Sequence, residues 1–199
     1  PKQVELISGP GCPVCVTPIS YIDEAVYLAR EKSVTICTFG DLVRVPGSKK
    51  SLADARSEGG KIHIVYSPAD AEKYAKKHPE EEVVFLSVGF ETTTPAGCLS
   101  VKKAKEEGIT NYSMLIANKT MPQAYEALKG SADIFLYPGH VNAITGTKLC
   151  EELVQEGVSG VVAGFTAKEL LTALAVALTH FQKGKPFFVN CYPRVVTEE

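Results

Sequence analysis

Short apolar segments alternate with amphipathic segments along most of this chain, and this alternation restricts the possible fold more than any other feature. The apolar segments are rich in β-branched and aromatic residues and are apolar at nearly every position, which is typical of strands buried on both faces. The predicted strands are Val4–Ser8, Val34–Phe39, Ile62–Tyr66, Val83–Val88, Tyr112–Ala117, Ile134–Tyr137, Gly160–Gly164 and Phe187–Cys191.

The intervening segments have the apolar spacing of helices that cover a sheet. Ser67-Pro68 and Thr94-Pro95 precede two of them, and each pair is typical of an N-cap followed by a first-turn proline. The predicted helices are Ile19–Lys32, Ala69–Lys77, Ala96–Glu107, Pro122–Lys129, Val141–Glu156 and Ala167–Lys183. Strands that alternate with such helices predict an α/β fold of parallel sheets with flanking helices.

We expect two Rossmann-like βα lobes rather than one sheet of eight strands. The most polar stretch of the chain, residues 75–82, is the expected junction, which assigns residues 1–80 to one lobe and residues 81–199 to the second. In sheets of this kind, ligands bind in the cleft at the carboxyl ends of the strands.

The composition excludes several classes of partner. The formal net charge is −2, so the chain has no basic excess to attract nucleic acid or anionic lipid. No apolar run approaches the ~20 residues that span a bilayer. Only Cys12 and Cys15 among the six cysteines lie close in sequence, and the others are expected to be reduced thiols of a cytoplasmic protein.

The segments that follow the predicted strands carry most of the unusual residues. Because the carboxyl ends of parallel strands meet at one edge of a sheet, these segments are expected to converge there. They are Gly9-Pro-Gly-Cys-Pro-Val-Cys15, residues 40–48, Gly89-Phe-Glu-Thr-Thr-Thr-Pro95, Asn118-Lys-Thr-Met-Pro122, Pro138-Gly-His-Val-Asn142 and Asn190-Cys-Tyr-Pro-Arg194.

Cys12 and Cys15 form the strongest candidate site. Two thiols separated by two residues can close a small disulfide ring, and amides at the start of the following helix would stabilise a thiolate. The pair suits redox exchange or ligation of a soft metal, and the alternative is two unrelated thiols near the end of a strand. A zinc site would need about four ligands, and the sequence has no second CxxC and no paired histidines.

Asp41 and Arg44 follow the second predicted strand. Asp41 could cap the next turn or act in a site, and Arg44 could pair with an acidic residue or hold an anion. His140 could transfer protons or bind a metal, and its alternative is a hydrogen-bonded structural role.

Glu91 and Thr92 belong to a segment with one acid and three hydroxyls at a helix start, which could bind a phosphate or carboxylate. The alternative is that Thr94 caps the helix, although a cap does not explain Glu91. No glycine-rich phosphate loop and no GxSxG elbow occurs, so a standard nucleotide site is not supported. Small buried residues are expected at three other cysteines, namely Cys37, Cys98 and Cys150.

Four of these motifs occur in an order that resembles the HypD family of [NiFe]-hydrogenase formation proteins. They are Gly9-Pro-Gly-Cys-Pro-Val-Cys15, Thr38-Phe-Gly-Asp41 with Arg44-Val-Pro-Gly47, Gly89-Phe-Glu-Thr-Thr-Thr-Pro95 and Pro138-Gly-His-Val141. The resemblance runs along nearly the whole chain.

The resemblance implies a maturation scaffold rather than a conventional enzyme. HypD-type proteins act with a small HypC-type partner, and together they hold an iron ion while its Fe(CN)2CO unit is assembled. A HypE-type partner delivers the cyanide. Cys12 and Cys15 would be the family's redox-active dithiol and candidate iron contacts. The resemblance implies that Asp41, Arg44, Glu91, Thr92 and His140 line the assembly cleft.

The chain also departs from the family pattern. The upstream Cys-Gly-Gly-His-Thr motif and the cysteines that bind the family's [4Fe-4S] cluster have no counterpart here. Thr166 stands where the family usually has Glu, and Asn142 stands where Ser is commoner. A chain cut from a longer protein explains the missing ends, and Thr166 indicates a divergent paralogue. Two rival functions remain open, a stand-alone thiol-disulfide oxidoreductase and a non-catalytic domain that binds a metal or a partner.

Overall fold

The structure, a computed structural model, describes residues 4–197 and divides them into two compact units. Residues 12–119 form the four-stranded unit, and residues 4–11 with 120–197 form the three-stranded unit. Both sheets are parallel and carry helices, so the prediction of an α/β fold with parallel sheets is confirmed.

The four-stranded unit contains the first half of the α/β alternation. Its strands lie in the order β2-β1-β3-β4. They are β1 (Thr35–Thr38), β2 (Ile62–Ile64), β3 (Val83–Ser87) and β4 (Tyr112–Ile116), and its helices are α1 (Ile19–Glu31), α2 (Leu52–Ser57), α3 (Pro68–Lys77) and α4 (Thr94–Glu106). A 3-10 turn, Gly40–Arg44, follows β1.

Alternate residues of the central strands point to opposite faces of this sheet. Ile36 and Leu86 lie in the core cluster beneath α1 and α2, whereas Cys37 and Phe85 lie in the cluster beneath α3. This two-sided burial explains why every residue of β1 is buried and why β3 is apolar as far as Ser87. Ser67 caps α3 by accepting a hydrogen bond from the Asp70 amide, as the Ser-Pro pair predicts.

The three-stranded unit repeats the same architecture on a smaller scale. Its strand order is β5-β6-β7. The strands are β5 (Phe135–Pro138), β6 (Gly160–Ala163) and β7 (Phe188–Asn190), and the helices are α5 (Met121–Ala127), α6 (Gly139–Thr145), α7 (Lys148–Gln155) and α8 (Ala167–Phe181). The central strand β6 is buried at every residue.

Several details differ from the sequence predictions, among them α2, a helix that was not predicted. Val4–Ser8 forms no strand, and Leu6 and Ile7 are exposed. The helix predicted over Val141–Glu156 is two helices, because Gly146 adopts a φ of 75° and ends α6. The expected lobe boundary after residue 80 would separate β1 from β3, whereas these strands pair within one sheet.

In the described part of the chain, no helix is both long enough and apolar enough to cross a membrane.

Candidate functional site

Cys12 and Cys15 form a disulfide in the loop that precedes α1. Their Cα atoms are 5.2 Å apart, within the usual range for a disulfide. The Cys15 amide donates a hydrogen bond to Cys12 Sγ at 3.2 Å, and the Thr17 hydroxyl donates one to the Pro13 carbonyl oxygen at 2.8 Å. The predicted CxxC pair is therefore brought together in a turn that its own neighbours hold closed.

This loop is attached to the core by Val14, one of the two residues between the cysteines. Val14 packs against the core cluster that contains Leu42 and Val88. Leu42 lies between Asp41 and Arg44, and Val88 follows β3 directly. One apolar cluster therefore supports the cysteine loop, the turn after β1 and the segment after β3.

A buried tyrosine fixes the start of α1 near the end of β4. The Tyr21 hydroxyl donates a hydrogen bond of 2.7 Å to the Leu115 carbonyl oxygen. Burial is the main reason that the pKa of Tyr21 is raised, so the hydroxyl stays protonated and can donate. The carboxyl end of this sheet is thus where the cysteine loop is anchored, as expected for such a fold.

Asp41 and Arg44 lie in the 3-10 turn and are both exposed. Asp41 is not the capping residue of this turn, since that position belongs to Phe39. Leu42 and Val43 are buried beneath the turn and hold it against the sheet. The turn therefore presents one acid and one base to solvent.

The segment after β3 is held by a chain of side-chain hydrogen bonds. The Ser87 hydroxyl donates to Asn118 Oδ1 at 2.6 Å, and Asn118 Nδ2 donates to Thr94 Oγ1 at 3.2 Å. Thr94 Oγ1 in turn donates to the Phe90 carbonyl oxygen at 2.9 Å. The prediction that Thr94 could cap α4 is wrong, because Thr94 is already helical and its hydroxyl serves this network.

Glu91 and Thr92 lie in this supported segment, where Glu91 is half-buried and Thr92 is exposed. Because β3 pairs with β1, the Glu91 segment and the Asp41 turn follow neighbouring strands. The sequence singled out Asn118 only as part of a segment, and it missed Ser87. The one signal for Ser87 was a hydroxyl at the end of an otherwise apolar strand.

His140 lies in the three-stranded unit, at the start of α6, and is exposed. Its ring lies 4.3 Å from that of Phe165 and 6.1 Å from that of Tyr192, measured between centroids. Phe165 follows β6 and Tyr192 follows β7. The residues after the three strands of this sheet therefore form one cluster of aromatic rings. The sequence singled out Tyr192 only as part of the segment after the last predicted strand, and it gave no role to Phe165.

Thr166 has a structural role beside this aromatic group. Its hydroxyl caps α8, and its amide and the Phe165 amide donate to the Glu169 carboxylate, each at 3.0 Å. The pKa of the Glu169 carboxyl is lowered to about 2, mainly by the hydrogen bond from the Thr166 amide. Arg194 lowers it further. Glu169 therefore places a carboxylate beside the loop that contains Phe165 and Thr166.

The remaining cysteines are not paired with one another. Cys37 and Cys150 are buried, and burial raises the pKa of Cys37 to about 12 and that of Cys150 to about 11. Both are poor nucleophiles as a result. The expectation that Cys98 is buried is wrong, because it faces solvent on α4.

A resident iron-sulfur cluster does not fit these cysteines. Such a cluster takes four thiolate ligands, or thiolates with histidines. Within residues 4–197, one group of three metal-competent side chains lies together, namely His78, Glu80 and Glu81, and it contains no thiol. Glu81 is already bonded to Thr35 and Lys61, with Thr35 the main cause of its pKa of about 2.

The whole chain, residues 1–199, matches the family model described as "HypD: Hydrogenase formation hypA family". The chain belongs to the HypD family. The CPVC disulfide, the turn of Asp41 and Arg44 and the Glu91 segment all lie in its four-stranded unit. His140 lies in its three-stranded unit.

Curated relatives support this assignment. The chain is 42% identical over 200 residues to the hydrogenase maturation factor HypD of Rhodobacter capsulatus, with 98% of the chain and 53% of the relative covered. It is 39% identical over 211 residues to that of Cupriavidus necator, with 100% and 56% covered. It is also 39% identical over 210 residues to the hydrogenase expression/formation protein HupD of Azotobacter chroococcum, with 100% and 55% covered. The chain thus spans slightly more than half the length of these relatives.

Proposed function

We propose that this chain acts in [NiFe]-hydrogenase maturation as a scaffold for assembly of the Fe(CN)2CO unit, and that Cys12 and Cys15 supply its redox chemistry. The observation that carries the proposal is the Cys12–Cys15 disulfide in an accessible loop. Family membership supports the biological role, because the relatives are named as hydrogenase maturation factors.

The iron unit is cargo in this proposal. Asp41, Arg44, Glu91 and Thr92 are proposed to line the binding surface of the four-stranded unit. His140 is proposed as a functional residue of the three-stranded unit. A disulfide sulfur is not a metal ligand, so contact of Cys12 or Cys15 with iron would require the reduced pair.

The proposal also includes partners and a compartment. By family resemblance the partners are a HypC-type chaperone and a HypE-type cyanide donor, and the family's [4Fe-4S] cluster has no ligand set among the described cysteines. A cytoplasmic location agrees with four cysteines that form no disulfide.

The decisive test replaces the cysteines at the native gene. Cys12→Ala or Cys15→Ala should abolish hydrogenase activity and leave hydrogenase large subunit without its iron unit. Cys98→Ala is the matched control, because Cys98 is also exposed but forms no disulfide. Normal hydrogenase activity in both the Cys12→Ala variant and the Cys15→Ala variant would refute the proposal.

The Cys12–Cys15 disulfide equally favours a stand-alone thiol-disulfide oxidoreductase. Affinity capture with a tagged HypC-type protein separates the two functions. The scaffold should be captured by it, and Asp41→Asn with Arg44→Gln should weaken capture. An oxidoreductase would show a measurable CxxC redox potential without capturing the chaperone.

A further inference from the structure

The two cysteines of the disulfide have different surroundings. Cys15 is exposed, whereas Cys12 is half-buried. The Cys15 amide donates its hydrogen bond to Cys12 Sγ, at 3.2 Å. The loop therefore distinguishes two cysteines that are symmetrical in the motif.

Thiol-disulfide exchange depends on access to the attacked sulfur and on the stability of the leaving thiolate. Access favours attack on the exposed cysteine, Cys15. A hydrogen bond from an amide stabilises negative charge on sulfur, so Cys12 is the better leaving group. Both effects therefore act in the same direction.

We infer that an incoming thiolate attacks Cys15 Sγ and that Cys12 is the leaving thiolate. This inference rests on the redox role proposed above, and the co-reactant is a thiol reductant. The reductant sulfur forms a bond to Cys15 Sγ while the Sγ–Sγ bond breaks, and Cys12 Sγ departs with the electron pair. A second thiolate of the reductant then attacks the reductant's own bonded sulfur and releases Cys15. The reductant leaves as a disulfide, and two electrons have entered the pair.

The turn that directs the hydrogen bond is itself held by Thr17. The Thr17 hydroxyl donates a hydrogen bond to the Pro13 carbonyl oxygen, and the Thr17 amide donates one to the Val14 carbonyl oxygen at 3.1 Å. Thr17 is therefore a positioning residue that keeps the Cys15 amide directed at Cys12 Sγ. Loss of the hydroxyl should reduce the selectivity between the two sulfurs.

Trapping the mixed disulfide tests the inference. The oxidised chain, carrying Cys98→Ser to remove an exposed thiol, is treated briefly with glutathione and quenched with acid. The released thiol is then blocked with a maleimide, and tandem mass spectrometry locates both labels. Extrapolation over several quench times removes any later migration of glutathione between the sulfurs.

We expect glutathione on Cys15 and maleimide on Cys12, in roughly tenfold excess over the reverse pattern. Thr17→Val should lower this ratio severalfold, and the matched variant Thr17→Ser should restore it. An equal or reversed distribution of labels overturns the inference. That outcome leaves the proposed function intact if hydrogenase activity in cells still requires both cysteines, so the two failures are distinguishable.

Discussion

Replacement of Tyr21 by phenylalanine tests the link between the cysteine loop and the sheet. The change removes one hydroxyl from a side chain that is 6% exposed, and the ring can remain in place. The lost hydrogen bond is the one of 2.7 Å to the Leu115 carbonyl oxygen. No cavity of methyl size forms, so the cost is that of one buried hydrogen bond.

We expect a destabilisation of about 1.5 kcal/mol for opening of α1 away from β4, because the carbonyl oxygen loses a buried donor. A free energy of that size corresponds to about tenfold faster hydrogen exchange of amides that exchange through this opening. Hydrogen exchange of the oxidised protein, read by mass spectrometry, should show the increase in peptides that cover α1 and β4.

Tyr27→Phe is the matched control. Tyr27 lies in the same helix and is 50% exposed, so its hydroxyl can bond to water in either state. Its replacement should leave exchange unchanged within about twofold. Equal acceleration in the two variants, or no acceleration in Tyr21→Phe, would refute the reasoning that this hydrogen bond anchors α1.

Two further predictions concern titratable groups. The pKa of Glu169 is depressed to about 2, so its contribution to stability is present above its unfolded pKa and is lost as pH falls through the folded value. Glu169→Gln should therefore flatten the fall in thermal midpoint between about pH 4.5 and pH 2, and an unchanged slope would contradict this. Iodoacetamide should label Cys98 quickly in the native protein, whereas buried Cys37 and Cys150 should react only after unfolding in urea. Comparable native rates for all three would contradict the burial argument.

The sheet architecture was predictable because a strand that is buried on both faces has few polar residues, and such a run can be recognised in the sequence. β1 and β3 send alternate residues into two cores, so Thr35–Thr38 and Val83–Ser87 are buried almost throughout. Leu6 and Ile7 have the same apolar character without any strand, because a short apolar run does not specify its pairing partner. The Gly146 break escaped prediction because a glycine within a helical pattern is often tolerated.

The candidate site was predictable as a set of segments and only in part as contacts. The Cys12–Cys15 bond follows from the spacing of the cysteines, since two intervening residues bring the sulfurs within reach. Ser87 and Asn118 lie far apart in sequence, and their hydrogen bond depends on the pairing of β3 with β4. Single-sequence patterns carry no information about such a contact.

The disulfide joins cysteines only three positions apart, and this short separation has a thermodynamic consequence. In the chain-entropy account, so small a ring restricts the unfolded chain by about 2 kcal/mol, against about 4.7 kcal/mol for a loop of ~100 residues. The disulfide therefore contributes little to the stability of the folded unit. The core cluster around Leu42 and Val88 would keep the unit folded without it. In the proposed redox role, reduction and oxidation would then be local events in one loop, and the folded surface of the unit would be the same in both oxidation states.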